Sequence, residues 1–226
     1  MNFLYNICSI TLWINLKVWS KYNVVNKELV PKKGKLLIIS NHQSNIDAGL
    51  LGASINRRLR FPTKIELFKN PVMSFFLKTY GGFPIKRDSA DISSFKTMKS
   101  ILDKENGTMA IFPEGTRDNG KLVKSKSGAA KIAKMFNPII LPVAITGTLH
   151  LKGLFRVFNP SGCITVTIGK PFKLNLNPQN NMNIKKNPEK LTIEIMNRIS
   201  QLLPEEKRGD YPLTGKEKYL LTETES

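Results

Sequence analysis

Residues 35–47 read KLLIISNHQSNID. Lys35–Ser40 is a short run of β-favouring apolar residues, stopped by the polar cluster from Asn41 to Asn45, and a helix follows from Ile46. Outward from this stretch the same alternation recurs. Arg60–Glu66 reads as a strand, Pro71–Thr79 as a helix and Gly82–Lys86 as a short strand. Ser89–Lys104 places Ile92, Phe95, Met98, Ile101 and Leu102 at helical spacing, and Asn106-Gly107 ends it. Thr108–Phe112 is a buried-type strand, Gly128–Phe136 a helix, Ile139–Thr146 a strand broken by Pro142, Cys163–Gly169 an alternating strand, and Thr192–Leu203 a final helix. Strand and helix in alternation predict a single α/β domain whose sheet is largely buried and flanked by helices. Residues 173–189, rich in Asn, Lys and Pro, read as a loop. The expected organisation is an N-terminal region at 1–30, a domain at 31–203 and a polar tail at 204–226, with Tyr219-Leu220-Leu221 able to dock.

The chain has 226 residues with 35 Lys+Arg and 17 Asp+Glu, a net charge of +18. The apolar share of 41% excludes a disordered chain, and no clean apolar run is long enough for a polytopic membrane protein. Residues 204–226 carry four basic and six acidic side chains, so residues 1–203 hold +18 − (−2) = +20. A body this basic suits a polyanion: nucleic acid, an anionic membrane or a phosphorylated small molecule. No nucleic-acid motif is present, so nucleic acid is not an expected partner. The two cysteines, Cys8 and Cys163, lie far apart, read as buried thiols, and suit a reducing compartment.

Residues 3–19, FLYNICSITLWINLKVW, are apolar with polar interruptions, and Trp13 and Trp19 suit the depth of a membrane interface. The expectation is a helix lying in that interface; a helix packed on the domain and a single span are the alternatives. Were it to span, Lys17, Lys21, Lys27, Lys32, Lys33 and Lys35 would keep the rest of the chain on the cytoplasmic side. A signal peptide is not indicated, because no basic leader or small-residue cleavage site flanks the run.

The chain's two histidines are His42 and His150. His42 and Asp47 are five apart, which is not a facing pair on one helix. They meet if His42 lies on the turn and Asp47 on the first helical turn, where Ser44 or Asn45 caps the helix. The carboxylate then takes one imidazole nitrogen and leaves the other as a base. The alternative is a histidine in a capping turn. No Gly-x-Ser-x-Gly elbow or reactive cysteine is present, so such a base would act on a substrate hydroxyl directly. Two histidines without metal-ligand spacing argue against a zinc site. His150, near a strand end, reads as a surface or capping residue. Lys86 and Arg87 end the GGFPIKR segment, and Arg87 offers a planar fork for phosphate, although such a pair is also common on a solvated loop. In FPEGTR, Pro113 ends the strand ladder, Gly115 allows a sharp turn, and Thr116 and Arg117 bring a hydroxyl and a guanidinium together. Glu114 either binds a substrate hydroxyl or braces Arg117, and the segment taken alone also fits a loop ion pair. Leu141–Ile145 (LPVAI) reads as core.

Taken together and in order, these segments resemble the glycerolipid acyltransferase family that includes the 1-acylglycerol-3-phosphate acyltransferases. The N-H-x4-D pattern matches Asn41, His42 and Asp47; the G-x-F-x-x-R block is similar at Gly81 or Gly82, Phe83 and Arg87, with Lys86 before it placing the Arg one position later; F-P-E-G-T-R matches Phe112 to Arg117; and V-P-V-A-I matches Leu141 to Ile145 with Leu in first place. Lys126, Gly128, Ala129 and Ala133 are similar to a further segment. The resemblance spans about residues 35–170 and implies the family's mixed, helix-flanked sheet. It implies transfer of a fatty acyl group from acyl-coenzyme A or acyl carrier protein, as substrate, to a glycerolipid hydroxyl, with no metal or bound cofactor. His42 would be the general base and Asp47 its orienting carboxylate. Arg87 with Lys86, and Arg117, would hold the acceptor phosphate, and Glu114, Gly115 and Thr116 would shape its pocket. The expected partners are a phospholipid membrane, lysophosphatidic acid and the acyl donor, at the cytoplasmic face of a membrane. Glycerol 3-phosphate, another lysophospholipid or a lyso-aminolipid is the alternative acceptor, and a non-catalytic basic lipid-binding protein the alternative class.

Overall fold

The computed structural model describes residues 2–86 and 92–224. The run Leu36–Ser40 forms strand β2, fully buried along its length. Its side chains alternate between two cores, with Leu36 and Ile38 in one and Leu37 and Ile39 in the other. A strand covered on both faces must be apolar throughout, which is why KLLIIS shows no polar alternation. Around it lies one nine-stranded sheet in the order β1-β7-β6-β2-β5-β3-β4, in which β8 also pairs with β6 and β9 with β8. The other strands are β1 (Ser20–Val25), β3 (Leu59–Lys64), β4 (Gly82–Ile85), β5 (Thr108–Ile111), β6 (Ile139–Thr146), β7 (Gly162–Ile168), β8 (Phe172–Leu174) and β9 (Thr222–Thr224). Strands β2 to β6 are parallel to their partners within that group, as β1 is to β7. The pairs β6–β7, β6–β8 and β8–β9 are antiparallel. The sheet is therefore mixed and helix-flanked, as expected.

Helices α1 (Asn2–Trp19), α2 (Asp47–Ser54) and α3 (Pro71–Thr79) cover one face. Helices α4 (Ile92–Leu102), α5 (Gly128–Phe136) and α7 (Pro188–Ser200) cover the other, joined by the polar α6 (Pro178–Lys186) through Ile184. The start of the expected 89–104 helix lies partly outside the described residues.

Four expectations are corrected. Pro142 does not break β6: it stands opposite Ile39, where the antiparallel neighbour changes from β8 (Ile140 opposite Phe172) to β7 (Val143 opposite Ile168), so its missing N–H falls between two ladders. Residues 173–189 are not one loop but carry the end of β8 and all of α6. Strand β1, inside 1–30, and β9, inside 204–226, are both hydrogen-bonded into the sheet, and Leu221 is buried beside β9. Cys163 is exposed: along β7 the alternate residues Ile164, Val166 and Ile168 are buried, and Cys163 stands on the other, less covered face.

Helix α1 packs through Tyr5, Leu12 and Leu16, and the Tyr5 hydroxyl accepts from the Leu59 N–H at 3.0 Å. On the opposite side of the same helix, Phe3, Ile7, Ile10, Ile14 and Val18 form an exposed apolar stripe at helical spacing. Among the described residues no helix is long and apolar enough to cross a membrane.

Candidate active site

Parallel β2 and β6 end side by side, and Asn41 ties them: its side chain donates to the Ile145 carbonyl at 2.8 Å and accepts the Ile145 N–H at 2.7 Å. The chain turns immediately beyond this tie, so His42 leaves the sheet at the carboxyl end of its strands, where open α/β sheets hold their ligands. Asp47 is wholly buried at the start of α2. Its Oδ2 accepts from His42 Nδ1–H at 2.9 Å and from the backbone N–H groups of Gln43 at 2.6 Å and Ser44 at 2.7 Å. Its Oδ1 accepts from the Thr148 hydroxyl at 2.8 Å. The expected cap is thus reversed. Neither Ser44 nor Asn45 caps α2 with its side chain; the Asp47 carboxylate reaches back to the turn, and the Ser44 hydroxyl donates to the Leu151 carbonyl. Four donors compensate the burial of one charge.

The His42 ring stacks on Phe112, with centroids 4.1 Å apart and planes 19° apart. With Nδ1–H committed to Asp47 and the plane fixed by Phe112, Nε2 carries the free lone pair. The side chain is 19% exposed, enough for a substrate to reach it. His42 opens on a cleft of about 250 Å³ lined by Ile85, Phe95, Met98, Ile111 and Ile132, with Lys86, Lys126 and Lys131 also at its wall.

Glu114 is buried, and its two oxygens accept the backbone N–H groups of His42, at 2.9 Å, and Val123, at 3.1 Å. It therefore braces two loops against each other and does not pair with Arg117. Burial pushes its carboxyl up to about 7, against the pull of those two N–H groups. Gly115 lines the cleft at φ +65°, a conformation that a side chain would strain. Thr116 is exposed. Arg117 donates to the Asn45 side chain and borders a separate hollow with Gln43, Ser44 and Lys152. Lys86 thus lines the His42 cleft and Arg117 a different hollow, whereas the sequence reading grouped them at one phosphate. Arg87 lies outside the described residues. His150 is exposed and shares a hydrogen bond of 3.0 Å with the Ser161 carbonyl, away from the cleft.

Sequence reasoning missed Phe112 as the stacking partner, Thr148 as the second support of Asp47, and Lys131 at the cleft. Phe112 was readable only as the first letter of a motif. Thr148 is 101 positions from Asp47 and gave no local signal. Among the described residues no three His, Cys, Asp or Glu side chains converge to hold a metal ion.

Comparison with known proteins finds relatives of this chain. The family model described as Acyltransferase matches residues 21–146, more than half of the chain. A 1-acyl-sn-glycerol-3-phosphate acyltransferase of Bacillus subtilis is 33% identical over 169 residues, covering 74% of this chain and 82% of that protein. The protein of the same name from Streptococcus pneumoniae is 31% identical over 131 residues, 57% of this chain and 48% of its own length. The crystal structure of the 1-acyl-sn-glycerophosphate (LPA) acyltransferase of Thermotoga maritima superposes with a TM-score of 0.63 at 25% identity, covering 84% of this chain and 79% of that one. The match to the family model contains the His42–Asp47 turn and the Glu114 brace, and with it the chain belongs to the acyltransferase family.

Proposed function

We propose that this protein transfers a fatty acyl group from acyl-coenzyme A or acyl carrier protein to the sn-2 hydroxyl of 1-acylglycerol 3-phosphate, giving phosphatidic acid at the cytoplasmic face of a membrane. One observation carries the reading: a histidine locked by a buried carboxylate at 2.9 Å stands at the wall of an apolar cleft that lysines also line. The relatives named for this reaction support the choice of acceptor.

In the proposed reaction the acceptor hydroxyl attacks the thioester carbonyl while His42 Nε2 takes its proton. A C–O bond forms, the tetrahedral oxyanion collapses, the C–S bond breaks, and the leaving thiolate takes the proton back from His42, which restores the neutral base. Asp47 stabilises the imidazolium and keeps Nδ1–H pointed inward. A positioned base contributes about 10²–10⁴-fold, and positioning of two bound substrates adds to it. A thioester is already activated, so the reaction needs neither metal nor bound cofactor. The apolar wall suits an acyl chain, the lysines suit coenzyme A or carrier phosphates, and the Arg117 fork suits the acceptor's phosphate.

Helix α1 supports the membrane part of the reading. One face of α1 is buried through Tyr5, Leu12 and Leu16, yet the face opposite is also apolar and faces outward. Its exposed stripe and flanking Trp13 and Trp19 fit the headgroup boundary.

The test is product formation by purified protein from radiolabelled lysophosphatidic acid and palmitoyl-coenzyme A or palmitoyl-carrier protein, beside other lysolipids and glycerol 3-phosphate. Phosphatidic acid as the main product is expected. Turnover of a different acceptor alone would keep the chemistry and replace the substrate, and no turnover with any pair would remove the enzymatic reading.

A further inference from the structure

A second exposed apolar surface stands beside α1. Helix α3 presents Val72 and Phe75, 67% and 63% exposed, and the turn between β6 and β7 presents Phe155 and Phe158, 70% and 52% exposed. Aromatic side chains this exposed on two separate elements are unusual unless something covers them. They form one patch because Phe76 joins them: its ring meets Phe155 edge-on at 6.5 Å and Phe158 at 6.1 Å. The patch adjoins α1, whose Asn15 side chain donates to the Val157 carbonyl at 3.1 Å and which also packs on α3.

Its charge indicates what covers it. Residues 64–80 carry Lys64, Lys69 and Lys78 against Glu66 alone, and residues 149–160 carry Lys152 and Arg156 with no acid. Exposed aromatic side chains on segments whose exposed charges are mostly cations match an anionic lipid surface, which takes the rings at the acyl boundary and the cations at the headgroups. Position agrees. Helix α3 follows the carboxyl end of β3 and the Phe155 turn follows that of β6, so both stand at the end of the sheet that carries His42.

We propose that Val72, Phe75, Phe155 and Phe158 form a second contact with an anionic phospholipid bilayer, which with the α1 stripe turns the catalytic end of the domain toward the membrane. A single helix lying flat leaves the domain free to roll about its axis, and a second contact off that axis removes the roll. The inference rests on the membrane reading of α1 given above.

The experiment uses the full chain and two readouts. Flotation with vesicles of phosphatidylcholine, with or without phosphatidylglycerol, reads binding. Turnover of vesicle-embedded lysophosphatidic acid against monomeric hexanoyl-lysophosphatidic acid reads chemistry. The variants are Phe75→Ser/Phe155→Ser, which leaves Phe76 in place, and Ile7→Ser/Ile14→Ser on α1. The patch variant is expected to lose binding to anionic vesicles by on the order of tenfold or more. Turnover in vesicles should fall with it, while turnover of the monomeric acceptor stays as in wild type. Unchanged vesicle binding by the patch variant would overturn the proposal, as would a wild-type dimer that the patch variant converts to monomer. Wild type that turns over the monomeric acceptor but binds no vesicle would overturn it and leave acyl transfer standing. Patch-dependent vesicle binding without turnover of any acceptor would uphold the patch and reject the enzymatic reading.

Discussion

The turn from Asn41 to Asp47 and the loop from Gly115 to Asn119 lie next to each other, yet they are held in opposite ways. In the turn, the side chains of Asn41, Ser44 and Asp47 each meet backbone from the turn itself or from β6 and the residues after it. In the loop, Thr116, Arg117, Asp118 and Asn119 are exposed, and Arg117 leans on the side chain of Asn45. The proposed base is held by buried hydrogen bonds, whereas the cation proposed to meet the acceptor phosphate is exposed. Rate should therefore depend on the turn and affinity on the loop.

The contrast breaks most severely at Asp47. Asp47→Ala leaves two buried backbone N–H groups without their acceptor and the Thr148 hydroxyl with only the Gln43 side-chain oxygen at 3.4 Å, which should cost roughly 3 kcal/mol or more in urea unfolding. Turnover should fall at least about 10²-fold, since His42 loses both orientation and charge compensation. Unfolding and initial-rate measurements on the same preparation check both.

Thr148→Val is the sharper version. It removes one donor to a buried carboxylate at nearly constant shape, worth about 1.5–3 kcal/mol for a bond to a charged group. Stability should drop by that order, and kcat should fall about tenfold with KM held, because Asp47 retains its other three donors. A rise in KM with kcat unchanged would move Thr148 from the base to the binding loop.

Glu114 lies between the two regions and gives a pH signature. Its carboxyl is at about 7 in the folded chain against 4.5 in the unfolded one. The folded state therefore binds more protons across that interval, so this contribution to stability is full below 4.5 and is lost as the pH rises through about 7. Urea midpoints measured from pH 5 to 8 should fall more steeply in wild type than in Glu114→Gln, whose side chain does not titrate. Parallel slopes in the two proteins would contradict the assignment.

The smallest structural effect belongs to the loop. Arg117→Ala should change stability by less than about 0.5 kcal/mol. It should raise the acceptor KM by roughly tenfold, the worth of one charge-assisted contact, with kcat and donor KM little changed. Thermal melts and steady-state kinetics distinguish this from a supporting role at the turn, which would lower kcat.

Much of this was legible in the sequence, for definite reasons. The buried strands β2 and β5 announce themselves as apolar runs, β6 does so apart from the misread Pro142, and α3, α4 and α5 are marked by spacing and punctuation. For His42 and Asp47 the separation of five gave only a condition, that the two meet if His42 lies on the turn and Asp47 on the first helical turn, and the structure meets it. What stayed hidden is what only partners create. Strand β1 follows α1 without a glycine or proline to mark the change, and its SKYNVV becomes a strand by pairing with β7. The TET of β9 is polar and pairs with the three-residue β8, held also by Arg198, whose guanidinium lies over Phe172 at 4.3 Å. Helix α6 buries Ile184 on an otherwise polar sequence, too faint a stripe to read. The Thr148 support has the same character, since a residue 101 positions away reaches Asp47 only once the sheet has formed.

The central claim is that His42 is the base on the acceptor hydroxyl, and single-turnover kinetics of His42→Ala test it most directly. Enzyme in excess, loaded with lysophosphatidic acid and mixed with acyl-coenzyme A, should form phosphatidic acid about 10²–10⁴-fold more slowly than wild type, with lysophosphatidic acid bound as tightly and the urea midpoint nearly kept. A variant that folds, binds the acceptor and turns over at the wild-type rate would contradict the account.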